Sequence, residues 1–552
     1  MAHRSQGDDT LLSPSQERAE LVSDEDFAPP ISTVPPEILE DIFLQLAQDT
    51  RTDSTPPYAW IKVSHVCADW RAIALNCASL WTDVQFVVSS EWLTEVLARS
   101  KGLPLTIRLS IRGDEYADTE TVLAAMICQE LHRTRKIDVT APSRSMRKLM
   151  CLIDKPAPLL ESLCLRNSSF SARVCDSLPP LLSDANVKLR SLRLERLSLN
   201  WRKLNIPFLD RLDIMSCGNV IQSAASFRNF AAALRNSPML ETLTISEENL
   251  LSPRPDRLPI RSLTIPLSRL RSLSIRTQKS EDCAYILRQL SIPRASSISL
   301  AFSPPSADDA ESTASPLAQF PFAHELRTMD ILCRTDAQTR RDQERLAARS
   351  GDGGPPVSLI IELPYENRSD HKIGELCGHL PLTSIEKLSF SGIRVPHTHH
   401  WIESYWNLRS VRELTVDRYA ASAHLLYALT HCEQSHSSSR AHPPTRMLFP
   451  DLHVLRFQGV VFARVQSDFN RSISIEHLTD CLRKRGVRGA PIKELRFRNC
   501  SEILQEDIQR FKEIMELVEI ESHHSSDVVP TSDLILYWQP DIYEDELAAF
   551  AT

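Results

Sequence analysis

The sequence predicts an α/β chain in which a small three-helix module precedes a long, irregular array of strand–helix units sharing one parallel sheet. Three observations carry that expectation. A short motif of the form L-x-x-L-x-L recurs through most of the 552 residues, and amphipathic stretches with helical spacing separate many of its copies. Residues 31–86 hold more apolar and aromatic side chains than so short a segment can bury by itself.

The motif stands at Leu160/Leu163/Leu165, Leu189/Leu192/Leu194, Leu209/Leu212/Ile214, Leu240/Leu243/Ile245, Ile260/Leu263/Ile265, Leu270/Leu273/Ile275, Ile385/Leu388/Phe390, Val411/Leu414/Val416, Leu452/Leu455/Phe457 and Ile492/Leu495/Phe497. Weaker copies fall at Ile298/Leu300 and Met329/Ile331, and earlier strands are expected at Leu105–Ile111 and Ile137–Val139. Most intervals lie at or near the roughly 20–29 residues of leucine-rich repeats. The gap from 331 to 385 and the step from 452 to 492 do not.

Alternation of apolar residues gives a strand with one buried face. Phe227/Phe230/Leu234, Cys283/Ile286/Leu287/Leu290, Leu425/Leu426/Leu429/Cys432 and Ile508/Phe511/Met515/Val518 each give one face of a helix. Strand, helix, strand at this period means parallel strands with right-handed crossovers. The expected form is an irregular leucine-rich-repeat solenoid with a parallel sheet on its concave face. Cys217 and Cys500 fill the slot after two copies, where a side chain turns inward and bonds turn backbone. An ordinary α/β domain with a shared strand motif is the alternative, but doubly wound sheets place glycines at strand ends.

Glycine is scarce, at 13 residues against 35 prolines, so turns needing φ > 0 are expected to be few. Neither G-x-G-x-x-G nor G-x-x-x-x-G-K-[ST] occurs, which argues against nucleotide loops. The 13 cysteines include no C-x-x-C, so neither a zinc ribbon nor a disulfide framework is expected. A net charge of −8, dispersed, gives no nucleic-acid footprint. No apolar window reaches the roughly 18 residues of a membrane span and the N-terminus lacks an apolar signal region, so a cytoplasmic or nuclear chain without membrane contact is expected. His397, His399 and His400 cluster, but no cysteine or carboxylate stands beside them at ligand spacing. No metal, cofactor or catalytic constellation is expected, and the chain reads as a non-enzyme.

Residues 1–30, rich in Ser, Asp, Glu and Pro, are expected to be a disordered leader. The helical module covers 31–86 and the array 87–520, with polar insertions near 303–315, 334–356 and 433–446. A tail, 521–552, follows.

Within the module, Pro35 and Pro36 open a helix carrying Ile38, Leu39, Ile42, Phe43 and Leu46. A second helix carries Val63, Val66, Cys67, Trp70 and Ile73, and a short third turn presents Leu80 and Trp81. The surplus of apolar area predicts a protein partner. At Val34-Pro35-Pro36-Glu37-Ile38-Leu39, Ile42-Phe43, Val66-Cys67-Ala68-Asp69-Trp70-Arg71 and Leu80-Trp81 the segment resembles the F-box. It departs from the family pattern at Val34, where leucine is usual, and in the long loop Gln48–Tyr58. That loop is similar to those of F-box groups in mushroom-forming fungi, whose chains also continue into degenerate leucine-rich repeats.

The resemblance implies a substrate-recognition adaptor of a Skp–cullin–F-box ubiquitin ligase. A Skp-family linker, and through it a cullin-RING ligase, would dock on Pro35, Pro36, Ile38, Leu39, Ile42, Phe43, Val63, Val66, Trp70 and Trp81. Core packing is the alternative for some of these. The other partner is a target protein held by the repeats, on strand residues facing away from the apolar ones: Arg166, Arg193, Glu195, Arg211, Asp213, Arg276, Asp417, Arg456, Arg496 and Arg498. Its arginines suit an acidic or phosphorylated ligand, with a plain solvated face as the alternative. A scaffold that binds partners without coupling them to ubiquitination is the second functional reading.

Overall fold

A computed structural model describes residues 31, 34–49, 58–85, 90–111, 125–126, 128–152, 156–169, 188–197, 201–204, 206–217, 224–247, 264–293, 296–303, 324–335, 342–351, 357–364, 372–393, 395, 397–433, 446–463 and 473–521. The expected leader and nearly all of the expected tail lie outside these residues, as does most of the stretches 303–315 and 433–446. The chain divides into two compact units, Met1–Arg108 and Leu109–Thr552.

In the first unit, α1 (Pro36–Asp49) precedes a 3-10 helix, Ala59–His65, and α2 (Ala68–Asn76). A second 3-10 helix, Ala78–Trp81, leads to β1 (Asp83–Val84), α3 (Ser90–Arg99) and β2 (Leu105–Ser110). The strands β1 and β2 are parallel, with Asp83 opposite Thr106. Cys67 starts α2 because its sulfur accepts the amide of Trp70 at 3.4 Å, which uses one of the donors left open at a helix N-terminus. The compact unit runs past Phe86 because Trp92 of α3 packs on Trp81 and Tyr58, with ring centroids 5.9 and 5.5 Å apart.

The second unit is built on a large, mostly parallel sheet with helices. Its first strands are β3 (Thr134–Ala141), β4 (Ser162–Asn167), β5 (Ser191–Glu195), β6 (Arg211–Met215) and β7 (Thr242–Glu247). These neighbours are followed in the sheet by β9 (Ser272–Thr277) and β11 (Ser297–Ala301). Two-residue β8 (Ile265–Pro266) stands apart, paired with β10 (Leu290–Ser291). The motif copy at Ile260/Leu263/Ile265 therefore adds no described strand to the main sheet. Ile260 and Leu263 lie outside the described residues.

Beyond β11 the order departs from the sequence. Neighbouring β11 is β14 (Ser358–Pro364), then antiparallel β13 (Asp342–Ser350), then β12 (Leu326–Thr335). The parallel run resumes with β15 (Lys387–Ser391), β16 (Glu413–Asp417), β19 (Val454–Gln458), β20 (Glu494–Arg498) and β21 (Leu517–Glu521). Short β17 (Cys432–Glu433) and β18 (Arg446–Met447) form a separate antiparallel pair. The stretch 334–356, expected as a polar insertion, thus carries a strand. Its alternation is hidden by charge: Leu346 and Ala348 enter the core while Arg345 and Arg349 stand on the other face.

Two apolar lines hold the sheet in register. One passes through Leu163, Leu192, Leu212, Leu243, Leu273, Ile298, Leu359, Ala348, Met329, Leu388, Leu414, Leu455 and Leu495, each directly opposite the next. All are buried. The second line, from Leu165 to Phe497, includes Leu346 of β13. Fully burying one such side chain contributes about 1.5–3 kcal/mol, and a one-residue slip would expose a whole strand's set.

Helices α4 (Ser143–Leu152), α5 (Ala224–Arg235), α6 (Ser280–Gln289), α7 (Lys372–His379), α8 (Thr398–Tyr405), α9 (Ala423–Thr430), α10 (Ile475–Val487) and α11 (Gln505–Lys512) connect these strands. Phe227, Phe230 and Leu234 are buried on α5, as the spacing predicts. Three helical runs end earlier than predicted: Leu290, Cys432 and Val518 lie in β10, β17 and β21.

The turns after the strands also differ from expectation. Arg196, Ser216 and Asn499, each directly after a strand, adopt φ of 55°, 50° and 52°. Among the described residues, glycine takes the equivalent place only at Gly392 and Gly459. Scarce glycine therefore does not mean few left-handed positions, because ordinary residues occupy them at a steric cost.

Candidate functional site

Helix α1 has two apolar stripes. Leu39, Phe43 and Ala47 are buried, whereas Ile38, Ile42 and Leu46, one position earlier in each turn, are 49, 48 and 38% exposed. The spacing i, i+4, i+8 places each set on one side of the helix. The exposed stripe has Pro35 and Pro36 at its beginning, and both are exposed too. In the same unit Val66 is 62% exposed, immediately before the Cys67 cap of α2.

The buried stripe is fixed by aromatic packing. Phe43 lies 5.1 Å from Trp70 between ring centroids, and Trp60 meets Trp81 edge to face at 5.2 Å. Trp81 donates its indole N–H to the carbonyl of Ala74 at 3.0 Å, so its polar end is satisfied inside the core. Arg71 donates to the carbonyl of Ser64 at 2.9 Å and ties α2 to the turn before it. Tyr58 is pushed up to about 12 by burial, and its hydroxyl accepts the amide of Gln85 at 3.1 Å.

Of the residues expected to meet a linker, Pro35, Pro36, Ile38, Ile42 and Val66 are exposed and Trp70 is half-buried. Leu39, Phe43, Val63 and Trp81 are buried within the unit. Leu46 and Ile31 were not among the expected residues, yet both are exposed. The i+4 step from Ile42 identifies Leu46.

Residues 31–86 match the family described as F-box-like. This segment is an F-box-like domain. The match covers the start of the chain and not the sheet-bearing unit. No curated protein matches the chain.

On the outward face of the sheet, the expected target-reading residues are mostly engaged with each other and with neighbouring strands. Arg166 donates to both carboxylate oxygens of Asp138 at 2.5 and 2.6 Å. Arg211 pairs with Asp213 at 2.8 Å, and Asp213 is buried. Arg276 faces Glu362, which also faces Arg345. Arg456 pairs with Glu413, Arg496 with Glu494 and Glu519, and Arg498 with Glu521. Glu195 approaches Arg196 at 3.5 Å. Asp417 accepts the amides of Gly392, Tyr419 and Ala420, so it serves the turns. Of the arginines in this set, Arg193 alone stands without an ion-pair partner among the described residues. Across β7, β9 and β11 the register places Thr242, Thr244, Ser272, Ser274, Ser297 and Ser299 side by side.

Cys217 donates to the carbonyls of Leu194 and Met215, and Cys500 to those of Phe457 and Arg498, so each bonds backbone at the ends of strands rather than the turn backbone expected. His397, His399 and His400 are joined by His424, with ring centroids 4.1–5.7 Å apart. Among the described residues, no group of three His, Cys, Asp or Glu is arranged to hold a metal ion, and no helix is long and apolar enough to cross a membrane.

Proposed function

We propose that the chain is a substrate-recognition adaptor of a Skp–cullin–F-box E3 ubiquitin ligase. The observation that carries this reading is the F-box-like match at 31–86 together with the exposed apolar stripe of α1. An apolar row left open on a helix held rigid by its opposite stripe suits a partner's groove. Ile38, Ile42 and Val66, with Pro35, Pro36 and Trp70, would bind a Skp-family linker, while Leu39, Phe43, Val63 and Trp81 would hold their shape. The linker would join the chain to a cullin-RING ligase.

The unit Leu109–Thr552 is read as an irregular leucine-rich-repeat solenoid that holds a target protein. Its in-register parallel strands support that reading. The mechanism is positioning: a held target presents its lysines at high effective concentration to an E2 enzyme, and the chain supplies no acid, base or nucleophile. The setting is cytoplasmic or nuclear.

Co-purification from cells tests this. Recovery of a Skp-family linker together with a cullin supports the adaptor. Linker without cullin supports a scaffold, and absence of linker with the wild-type chain overturns the F-box mechanism.

A further inference from the structure

Four turns of the second unit are built alike. In each, the amide of the last residue donates to the carbonyl three residues before: Leu160 to Ala157, Leu209 to Ile206, Leu240 to Ser237 and Leu270 to Leu267, at 3.1–3.3 Å. The fourth residue of each turn is buried in the core. The third therefore points to solvent: Leu159, Phe208 and Met239 are 45, 50 and 36% exposed, and Arg269 is exposed in the same place.

Register aligns these positions. Ser162, Ser191, Arg211, Thr242 and Ser272 stand opposite one another across β4, β5, β6, β7 and β9. Leu159, Lys188, Phe208, Met239 and Arg269 each lie three residues before one of them. At about 4.8 Å per strand they form a row about 19 Å long where the strands begin. Lys188 stands between Leu159 and Phe208 in that row.

Charge distinguishes this row from its surroundings. Two residues further along each chain the charges cancel in pairs: Arg135 with Glu161, Arg190 with Asp210, and Arg271 with Glu241. Lys188 and Arg269 have no ion-pair or hydrogen-bond partner among the described residues. The row is apolar at its centre with two uncompensated cations.

We propose that this row docks an acidic amphipathic segment of the target, its large apolar side chains on Leu159, Phe208 and Met239 and its carboxylates on Lys188 and Arg269. A second copy of the chain does not fit, because a two-fold interface sets the same patch against itself and brings like charges together. The proposal rests on reading Leu109–Thr552 as the target-binding unit, and it names the chemistry that unit selects.

The test is fluorescence anisotropy on the full chain, using a short labelled peptide of Leu and Phe alternating with Asp and Glu. Saturable binding that weakens with salt is expected. Phe208→Ser with Met239→Ser, and separately Lys188→Glu with Arg269→Glu, should each weaken it about tenfold. The charge-reversed chain should then prefer the same peptide with Lys in place of its acids. No saturable binding, binding indifferent to both double variants, or a dimer formed through this row overturns the proposal. Linker capture by the same preparations reads the F-box mechanism separately: retained capture with no peptide binding removes this inference alone. Since all substituted residues are exposed, an unchanged melting temperature establishes that the variants are folded.

Discussion

Phe43 meets Trp70 with ring centroids 5.1 Å apart, while Ile42, its neighbour in the same helix, is 48% exposed. Adjacent residues of one motif therefore have separable consequences. Phe43→Ala should cost about 3–5 kcal/mol, read from denaturant unfolding. Ile42→Asp should change stability by no more than about 0.5 kcal/mol and abolish capture of a Skp-family linker. Equal loss of stability in the two variants would contradict the division between core and docking stripe.

Ser216 has φ of 50° with its side chain exposed. Glycine removes the left-handed penalty at the cost of some unfolded-state entropy. Ser216→Gly is expected to stabilise the second unit by roughly 0.5–1 kcal/mol. The midpoint in urea should rise with an unchanged slope.

Arg485 is fully buried and donates to the carbonyls of Leu429, Leu448 and Phe449 at 2.9, 3.1 and 2.8 Å. One guanidinium thereby joins α10 to the end of α9 and to the turn before β19. Arg485→Ala strands those buried acceptors and should cost more than about 3 kcal/mol. Arg485→Lys should recover part of that, since an ammonium lacks the planar fork. Thermal melts of the three chains give the ranking.

Burial pushes the thiols of Cys217 and Cys481 up to about 12 and that of Cys164 up to about 11. Alkylation requires the thiolate, and the raised value keeps these groups protonated until well above ordinary thiol titration. At pH 8 iodoacetamide should label exposed Cys67 in the folded chain and spare these three until denaturant is added. Bound linker should slow labelling of Cys67. Mass spectrometry of tryptic peptides reads both outcomes.

The sheet was largely legible because its apolar residues alternate: Leu163 and Leu165, or Leu455 and Phe457, mark both the strand and its buried face. β13 was not, since Arg345 and Arg349 gave it the composition of a solvated loop. At the F-box-like stripe, helical spacing found Ile38, Leu39, Ile42 and Phe43 together. Which pair is covered depends on α2 and the tryptophans, beyond the reach of a local pattern. The outward arginines were correctly placed on their strands, but Arg166 is separated from Asp138 by a whole strand–helix unit. No local spacing announces that they pair. Nor does a serine at 216 or an arginine at 196 advertise a left-handed turn.

The reversed placement of β12, β13 and β14 bears on how the chain is made. On a ribosome the strands through β11 can add one after another to a growing edge. β12 then emerges with none of its sheet neighbours yet synthesised, and the strand that abuts β11 is β14. The 63 residues from 302 to 364 (364 − 301) take roughly three to thirteen seconds to translate at about 5–20 residues per second. For that interval the edge of β11 is open and its extension must wait. The chain thus has a built-in pause in assembly, with an N-terminal half that can be complete before the C-terminal half has anything to build on.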